Sequence, residues 1–330
     1  MKKIFLTGAI HPDAIALLEQ YAEVVVADDT SAASLREGME GADAVLVRHP
    51  LAAGAFDGAE RLRCAIRHGA GIDMIPVDDA NRLGILVANV PGINANYVAE
   101  HAIGQMICLA RRLPLIGTAF RGLSWEAGKS VALGGSGLRG KTVGIVGLGA
   151  VGRALANICK DGFAMNVVAA ARSGKGSSPA CAIERKPLDE LLASSDFVVL
   201  CCPLTEETAG LINMAALSKM KRSAYLINVA RGAVVNENDL IHALVNKYIA
   251  GAALDVYEGT PLQRSSALFD IEGLLLTPHT AAVTAESMRE MGWVSALQAV
   301  EVLQGRFPEN WINRNAKAAI ESRWSRLDAQ

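Results

Sequence analysis

Aromatic side chains are scarce in this chain: Phe, Trp and Tyr together make up 5% of it. So few rings leave little for nucleic-acid bases to stack on. Basic charge is not in excess either, since 32 Lys and Arg face 34 Asp and Glu, for a formal net charge of −2. A surface without a basic footprint argues against nucleic acid or an anionic membrane as partner. No apolar run approaches the roughly 18 residues that span a bilayer. The opening Met-Lys-Lys-Ile-Phe-Leu is cut short by Gly8, His11, Pro12 and Asp13, so it reads as a strand and turn, not a secretion signal. The six cysteines form no CxxC pair and mostly sit in apolar runs. They are expected to be reduced core thiols of a cytoplasmic protein, with no metal bound. Neither an internal repeat nor a low-complexity segment is present.

What the chain has in quantity is small and apolar residues: 51% hydrophobic and 31 glycines in 330 residues. That length suffices for two domains, and the profile suits helices lying close on sheets. Short β-branched or apolar runs at 3–6, 23–27, 44–47, 64–66 and 85–87 alternate with amphipathic stretches at 12–21 and 31–40. A long helix is expected over 94–113, with Val98, Ala102, Ile103, Met106, Leu109 and Ala110 on one face. The pattern dissolves over 117–139, which reads as a Gly/Ser-rich passage. A second series of strands follows at 142–146, 166–170, 197–201, 224–228, 251–255 and 274–276, then a helix over 285–303 and a polar tail. The fold class expected is α/β with two doubly wound parallel sheets.

The run Thr142–Val146 leads directly into Gly147-Leu148-Gly149-Ala150-Val151-Gly152, and helical periodicity resumes behind it. A GxGxxG in strand–turn–helix context is a dinucleotide fingerprint. Gly147 serves the tight turn, Gly149 the approach of the pyrophosphate and Gly152 the packing of helix on strand. An acid that would hydrogen-bond a ribose is missing at the end of the next strand, where Ala171 stands, followed by Arg172, Ser173 and Lys175. Without a carboxylate to repel a 2′-phosphate, and with Arg172 and Ser173 to bind one, NADP is expected over NAD.

Three segments each place a polar residue just past a strand: Asn228-Val-Ala-Arg231-Gly, Ala253-Leu-Asp255-Val and Thr277-Pro-His279. Open α/β sheets bind ligands at such carboxyl ends. Arg231 offers a fork of donors for a carboxylate and carbonyl, and His279 is the side chain suited to proton transfer near neutrality. Gly69-Ala70-Gly71 sits at another strand end, where backbone amides can form a nest for an anion or simply make a turn. His68 adjoins that loop. His101 falls within the long helix and is expected to pack or to meet an interface, Trp125 to lie in the core or pack over the cleft, and His11, His49 and His242 to lie on loops or helix surfaces. Asp255 is open to two readings, as a ligand contact or as a turn-former.

These segments, in this order, together with Gly69-Ala-Gly-Ile-Asp73, Pro91-Gly-Ile-Asn94, Val98-Ala-Glu-His101, Pro203-Leu-Thr205 and Met220-Lys221, resemble the D-isomer-specific 2-hydroxyacid dehydrogenases, glyoxylate/hydroxypyruvate reductases among them. The resemblance runs from about Arg67 to Asn313. It implies a Rossmann cofactor domain at 98–285 inserted in a flavodoxin-like substrate domain at 1–97 plus 286–330, with hinges near 94–98 and 281–286. It implies that Arg231 binds substrate, that His279 is the acid/base, that Asp255 contacts the nicotinamide carboxamide, and that Ala70 and Gly71 amides hold the substrate carboxylate with Asn94 nearby. Dinucleotide contacts are expected from Gly147, Leu148, Gly149, Ala150, Val151, Gly152, Arg172, Ser173, Cys202, Pro203, Val229, Ala230 and Asp255. A homodimer with the 94–113 helix as an arm is also implied.

One departure stands out. The family's glutamate partner of the histidine, just before a proline, is here Thr260 before Pro261, with Glu258 close by. Loss of that carboxylate is expected to lower the pKa of His279 unless Glu258 swings in. A cofactor-sensing regulator of the same fold, with little turnover, or a dehydrogenase of another small anion, is the rival expectation.

Overall fold

The computed structural model describes residues 1–171 and 183–329. The chain divides into two compact units, Met1–Asn94 with Val283–Gln330, and Ala95–Ala282.

The first unit begins with β1 (Lys3–Leu6), α1 (Pro12–Leu18), β2 (Glu23–Val26), α2 (Ala32–Met39), β3 (Ala44–Val47), β4 (Cys64–Arg67), α3 (Val77–Leu83) and β5 (Leu86–Ala88). Its five strands lie in the order β2-β1-β3-β4-β5, all parallel. That is a flavodoxin-like order. Alternate residues of each strand feed opposite cores. Ile4, Leu6, Leu46 and Ile66 pack on one side, and Phe5, Val45, Val47 and Ala65 on the other. Runs that are apolar without alternation are what a sheet covered on both faces requires.

The second unit comprises α4 (Ala95–Arg111), α5 (Leu113–Gly122), α6 (Trp125–Ala132), β6 (Thr142–Val146), α7 (Ala150–Asn157), β7 (Asn166–Ala170), β8 (Glu184–Arg185), α8 (Leu188–Ser194), β9 (Phe197–Leu200), α9 (Met214–Leu217), β10 (Tyr225–Asn228), α10 (Glu237–Val245), β11 (Gly251–Leu254) and β12 (Leu274–Leu276). Its sheet runs β12-β11-β10-β9-β6-β7-β8, every pair parallel. The order reverses between β6 and β9, the point at which doubly wound sheets hold ligands. The chain then returns to the first unit through α11 (Ala285–Leu303) and α12 (Lys317–Asp328).

Three expectations change. The passage at 117–139 is largely helical: α5 carries Pro114 in its first turn, and the Ser124 hydroxyl caps α6 by accepting from Ala127 N at 3.1 Å. Glycines at 117, 122 and 128 break the apolar periodicity there and hid both helices. The polar tail folds as α12, because Arg323 lies inward and donates to the carbonyls of Leu62, Leu83, Ala59 and Glu60. The long helix ends at Arg111, where Arg112 turns left-handed. Its apolar face, Ala99, Ala102, Ile103, Met106, Leu109 and Ala110, is sunk in the core of its own unit with Val143 and Ile145, so it is a core helix and not a projecting arm.

Candidate active site

The turn after β6 is built around glycines that cannot be replaced at low cost. Gly147 has φ +100°, and a Cβ there would stand 2.6 Å from the amide nitrogen of Cys202. The same approach lays Cys201 and Cys202, just past β9 and ahead of Pro203, beside the loop. A Cβ on Gly152 would stand 2.1 Å from the Gly147 carbonyl oxygen, so the first turn of α7 rests directly on the loop. Gly149 differs: no atom lies within 4 Å of its absent Cβ, and it caps α7 without any side-chain bond. The helix therefore presents its first amides, at Ala150 and Val151, to open space at its positive end. That suits a pyrophosphate, and the residues present fit a dinucleotide.

Adjacent strands β10, β11 and β12 deliver the three polar segments side by side at their carboxyl ends. Asn228, wholly buried, shapes the first: its Oδ1 accepts from Ala230 N at 3.0 Å and its Nδ2 donates to the Arg231 carbonyl at 3.0 Å. That clamp sets the Val229-Ala230-Arg231 turn, and Arg231 Nη1 donates to the Ala230 carbonyl at 2.7 Å. Glycine must follow, because a Cβ on Gly232 would meet the Tyr257 carbonyl at 1.9 Å.

The third segment is wound around Asp255, which is 1% exposed. Its Oδ1 accepts from the Thr277 hydroxyl at 2.6 Å and Thr280 N at 2.8 Å, and its Oδ2 from Ala281 N at 2.9 Å. His279 sits at the apex with φ +55°, its amide donating to the carbonyls of Asp255 (2.8 Å) and Thr277 (3.0 Å). A left-handed conformation costs a non-glycine residue about 1 kcal/mol or more, and the bonds to Asp255 hold it there. The Tyr257 hydroxyl, pushed up to about 12 by burial and by Asp255, stays protonated and donates to the Thr277 carbonyl at 2.8 Å. Forming the turn is thus one role this geometry gives Asp255.

In the first unit, the loop after β4 is pinned by its carbonyls. Asn89 Nδ2 donates to Ala70 O at 2.6 Å, and Arg67 Nε to Gly71 O at 3.2 Å. Arg67 Nη1 also reaches the carbonyls of Val47 and His68, at 2.9 and 2.7 Å. Gly69 takes φ +146°. With both carbonyls bound, and neither the Ala70 nor the Gly71 amide given a backbone partner among the described residues, the donors are left for an anion. Asn94 closes this stretch just ahead of α4.

The family of D-isomer specific 2-hydroxyacid dehydrogenases, through its NAD-binding domain, matches residues 103–281. A glyoxylate reductase of Pyrococcus furiosus is 35% identical over 94% of this chain and 95% of its own. This chain belongs to that family. In structure, a Thermus thermophilus protein superposes with a TM-score of 0.85 at 31% identity, over 94% of this chain and 99% of that one. An NADPH-dependent glyoxylate/hydroxypyruvate reductase from Sinorhizobium meliloti, solved with NADP and malonate, gives 0.83 at 27% identity, over 96% and 97%. The chain is accordingly a dehydrogenase that uses a nicotinamide dinucleotide.

Of the residues expected to serve this dehydrogenase, the second unit gathers Gly147 to Gly152, Cys202, Pro203, Val229, Ala230, Arg231, Asp255 and His279 at one sheet edge. Ala70, Gly71 and Asn94 belong to the first. Arg172 and Ser173 lie outside the described residues. Thr260 is exposed, and Glu258 is committed elsewhere: its Oε1 accepts from Glu237 N at 3.0 Å, at the start of α10. Glu258 therefore caps a helix and does not stand in for the missing glutamate.

His11 caps α1, and Trp125 is not core but 63% exposed, edge-on to Phe120. His68 is 4% exposed, and its pKa is pushed down to about 4 by burial with Arg48 and Arg67 adding to it, so it is neutral beside the Ala70-Gly71 loop. Sequence reasoning missed Asn89, Arg67 and Asn228. Only Asn228 left a trace, as the first letter of a motif whose purpose the motif does not state.

Proposed function

We propose that this chain reduces small 2-keto acids to D-2-hydroxy acids with NADPH, glyoxylate and hydroxypyruvate being the leading substrates. What carries the reading is that Arg231, Asp255 and His279 follow three adjacent parallel strands, with His279 locked at the apex of its turn. When bound, the reduced nicotinamide supplies a hydride to C2. The Arg231 guanidinium pairs with the carboxylate and polarises the carbonyl. The Ala70 and Gly71 amides, with Asn94, offer donors suited to a substrate carboxylate. Protonated His279 gives its proton to the carbonyl oxygen as negative charge develops there. Asp255 supports the turn and offers any remaining lone pair to the carboxamide.

The preference for NADP rests on the missing acid at Ala171 and on Arg172 and Ser173. Homodimer formation is supported by α5, which buries none of its residues, and by exposed Leu113, Phe120, Leu123, Trp125 and Leu133 on and beside α5 and α6. A cytoplasmic setting agrees with free buried thiols at Cys64, Cys159 and Cys202.

The test is initial-rate reduction of glyoxylate, hydroxypyruvate, pyruvate and phenylpyruvate, with NADPH and NADH compared. Turnover favouring NADPH is expected. Tight dinucleotide binding without turnover of any of the four overturns the reading in favour of a regulator. Thr260→Glu, which restores the family's carboxylate, is expected to move the alkaline limb of the reduction profile to higher pH, as an anion beside an imidazolium favours its protonated form.

A further inference from the structure

Thr277 supplies the side-chain bond among those that tie the His279 turn to Asp255, and it is gripped from a second side. Its hydroxyl has one proton, which goes to Asp255 Oδ1 at 2.6 Å. Whatever else approaches that oxygen must therefore donate. Two side chains of α4 do so: His101 Nε2 at 3.3 Å and Gln105 Nε2 at 3.4 Å. They stand four residues apart, one helical turn, so both face the same spot. His101 Nε2 is also 3.9 Å from Asp255 Oδ1, while its ring is 22% exposed at the side chain. The direction of this chain of bonds fixes the ring with its proton on Nε2.

We infer that His101, with Gln105, is a positioning residue for the proton transfer: it holds Thr277 against Asp255 and so holds His279 at its working angle. This rests on the proposed role of His279 and adds to it a residue outside the glycine loop and the Arg231 turn. The logic is that of a brace. The turn carries a left-handed histidine that relaxes if its first residue is released, and Thr277 is that residue. Asp255 restrains the turn from inside the sheet, whereas α4 restrains it from its other side. A small error in the angle of a reacting group costs far more in rate than in binding.

The experiment compares His101→Leu, His101→Gln and Thr277→Val with the intact chain, measuring kcat, KM for the keto acid and dinucleotide binding. His101→Leu is expected to lower kcat by about tenfold or more, a loss of orientation and not of ground-state binding. KM for the dinucleotide should stay within about twofold, since the Gly147–Gly152 loop is untouched. His101→Gln keeps a donor where Nε2 stood and is expected to return kcat to within about threefold of the intact chain. The double variant His101→Leu with Thr277→Val should be no slower than Thr277→Val alone, because the two act through one bond. Undiminished kcat in His101→Leu overturns the inference, as does a His101→Gln variant that is folded and binds dinucleotide yet is as slow as the leucine. If His101→Leu does not fold, the glutamine variant decides alone by the same measure. His279→Gln, run alongside, separates two failures: full activity there overturns the role of His279 and this inference with it, whereas loss there beside an unaffected His101→Leu overturns only the role of His101.

Discussion

Both units place a glycine-rich turn at the carboxyl end of a parallel strand, and the two turns prepare for an anion by different means. Gly147–Gly152 uses a helix: α7 starts at Ala150, two glycines have no room for a Cβ, and the uncapped amides point to open space. Gly69–Gly71 has no helix to use, since α3 begins only at Val77. Its amides are turned outward because Asn89 and Arg67 hold the opposite, carbonyl side of the loop. One turn is shaped by what the backbone lacks, the other by what side chains outside the loop supply.

Breaking that comparison gives its largest effect at Gly152. Gly152→Ala sets a methyl 2.1 Å from the Gly147 carbonyl, and overpacking of this kind costs about 1–3 kcal/mol. Dinucleotide affinity should fall with stability, and titration against a stable variant with unchanged affinity would contradict the account. Asn89→Ala comes next. It strips Ala70 O of its donor, and a loss of about 1 kcal/mol raises KM for the keto acid roughly fivefold. Dinucleotide Kd is expected to stay level. A change in Kd and not KM would mean that the two loops are not the separate devices described.

The effect expected to touch activity least is in pH, where it falls on stability, and it sharpens the contrast. His68 has a folded pKa of about 4, below the 6.5 of an unfolded histidine. The unfolded chain thus binds more protons than the folded one between pH 4 and 6.5, and stability falls as pH drops through that window. The span amounts to on the order of 3 kcal/mol from this one group. Against Gly147 runs the backbone of Cys202, whose own thiol burial pushes up, so that it does not change charge in that window. Denaturant unfolding at pH 4.5 and 7 should show a flatter difference in His68→Gln than in the intact chain. An equal difference would remove His68 as its source.

Much of the fold was legible because its signal is local. Buried parallel strands such as Ala44–Val47 and Phe197–Leu200 are unbroken apolar runs, and a glycine loop is read from spacing alone. Helices α5 and α6 were not, since glycines at 117, 122 and 128 interrupt their faces. In α12 charge sits where apolar side chains were sought, and Arg323 is buried only because four carbonyls of the first unit await it.

The sequence by itself singled out the candidates for the chemistry: Arg231, His279 and the glycines at 147, 149 and 152 stand in motifs whose order and strand context point to them. It also determined the absence of the family's glutamate, at Thr260. Only the tertiary structure decided how those residues are held. It turned Asp255 into the centre of the His279 turn, sent Glu258 to cap α10 and joined His101 on α4 to Thr277. It also brought Asn89 to Ala70. The physical reason is that a hydrogen bond is made between groups about 3 Å apart in space, while Thr277 and His101 are separated by 176 residues of chain.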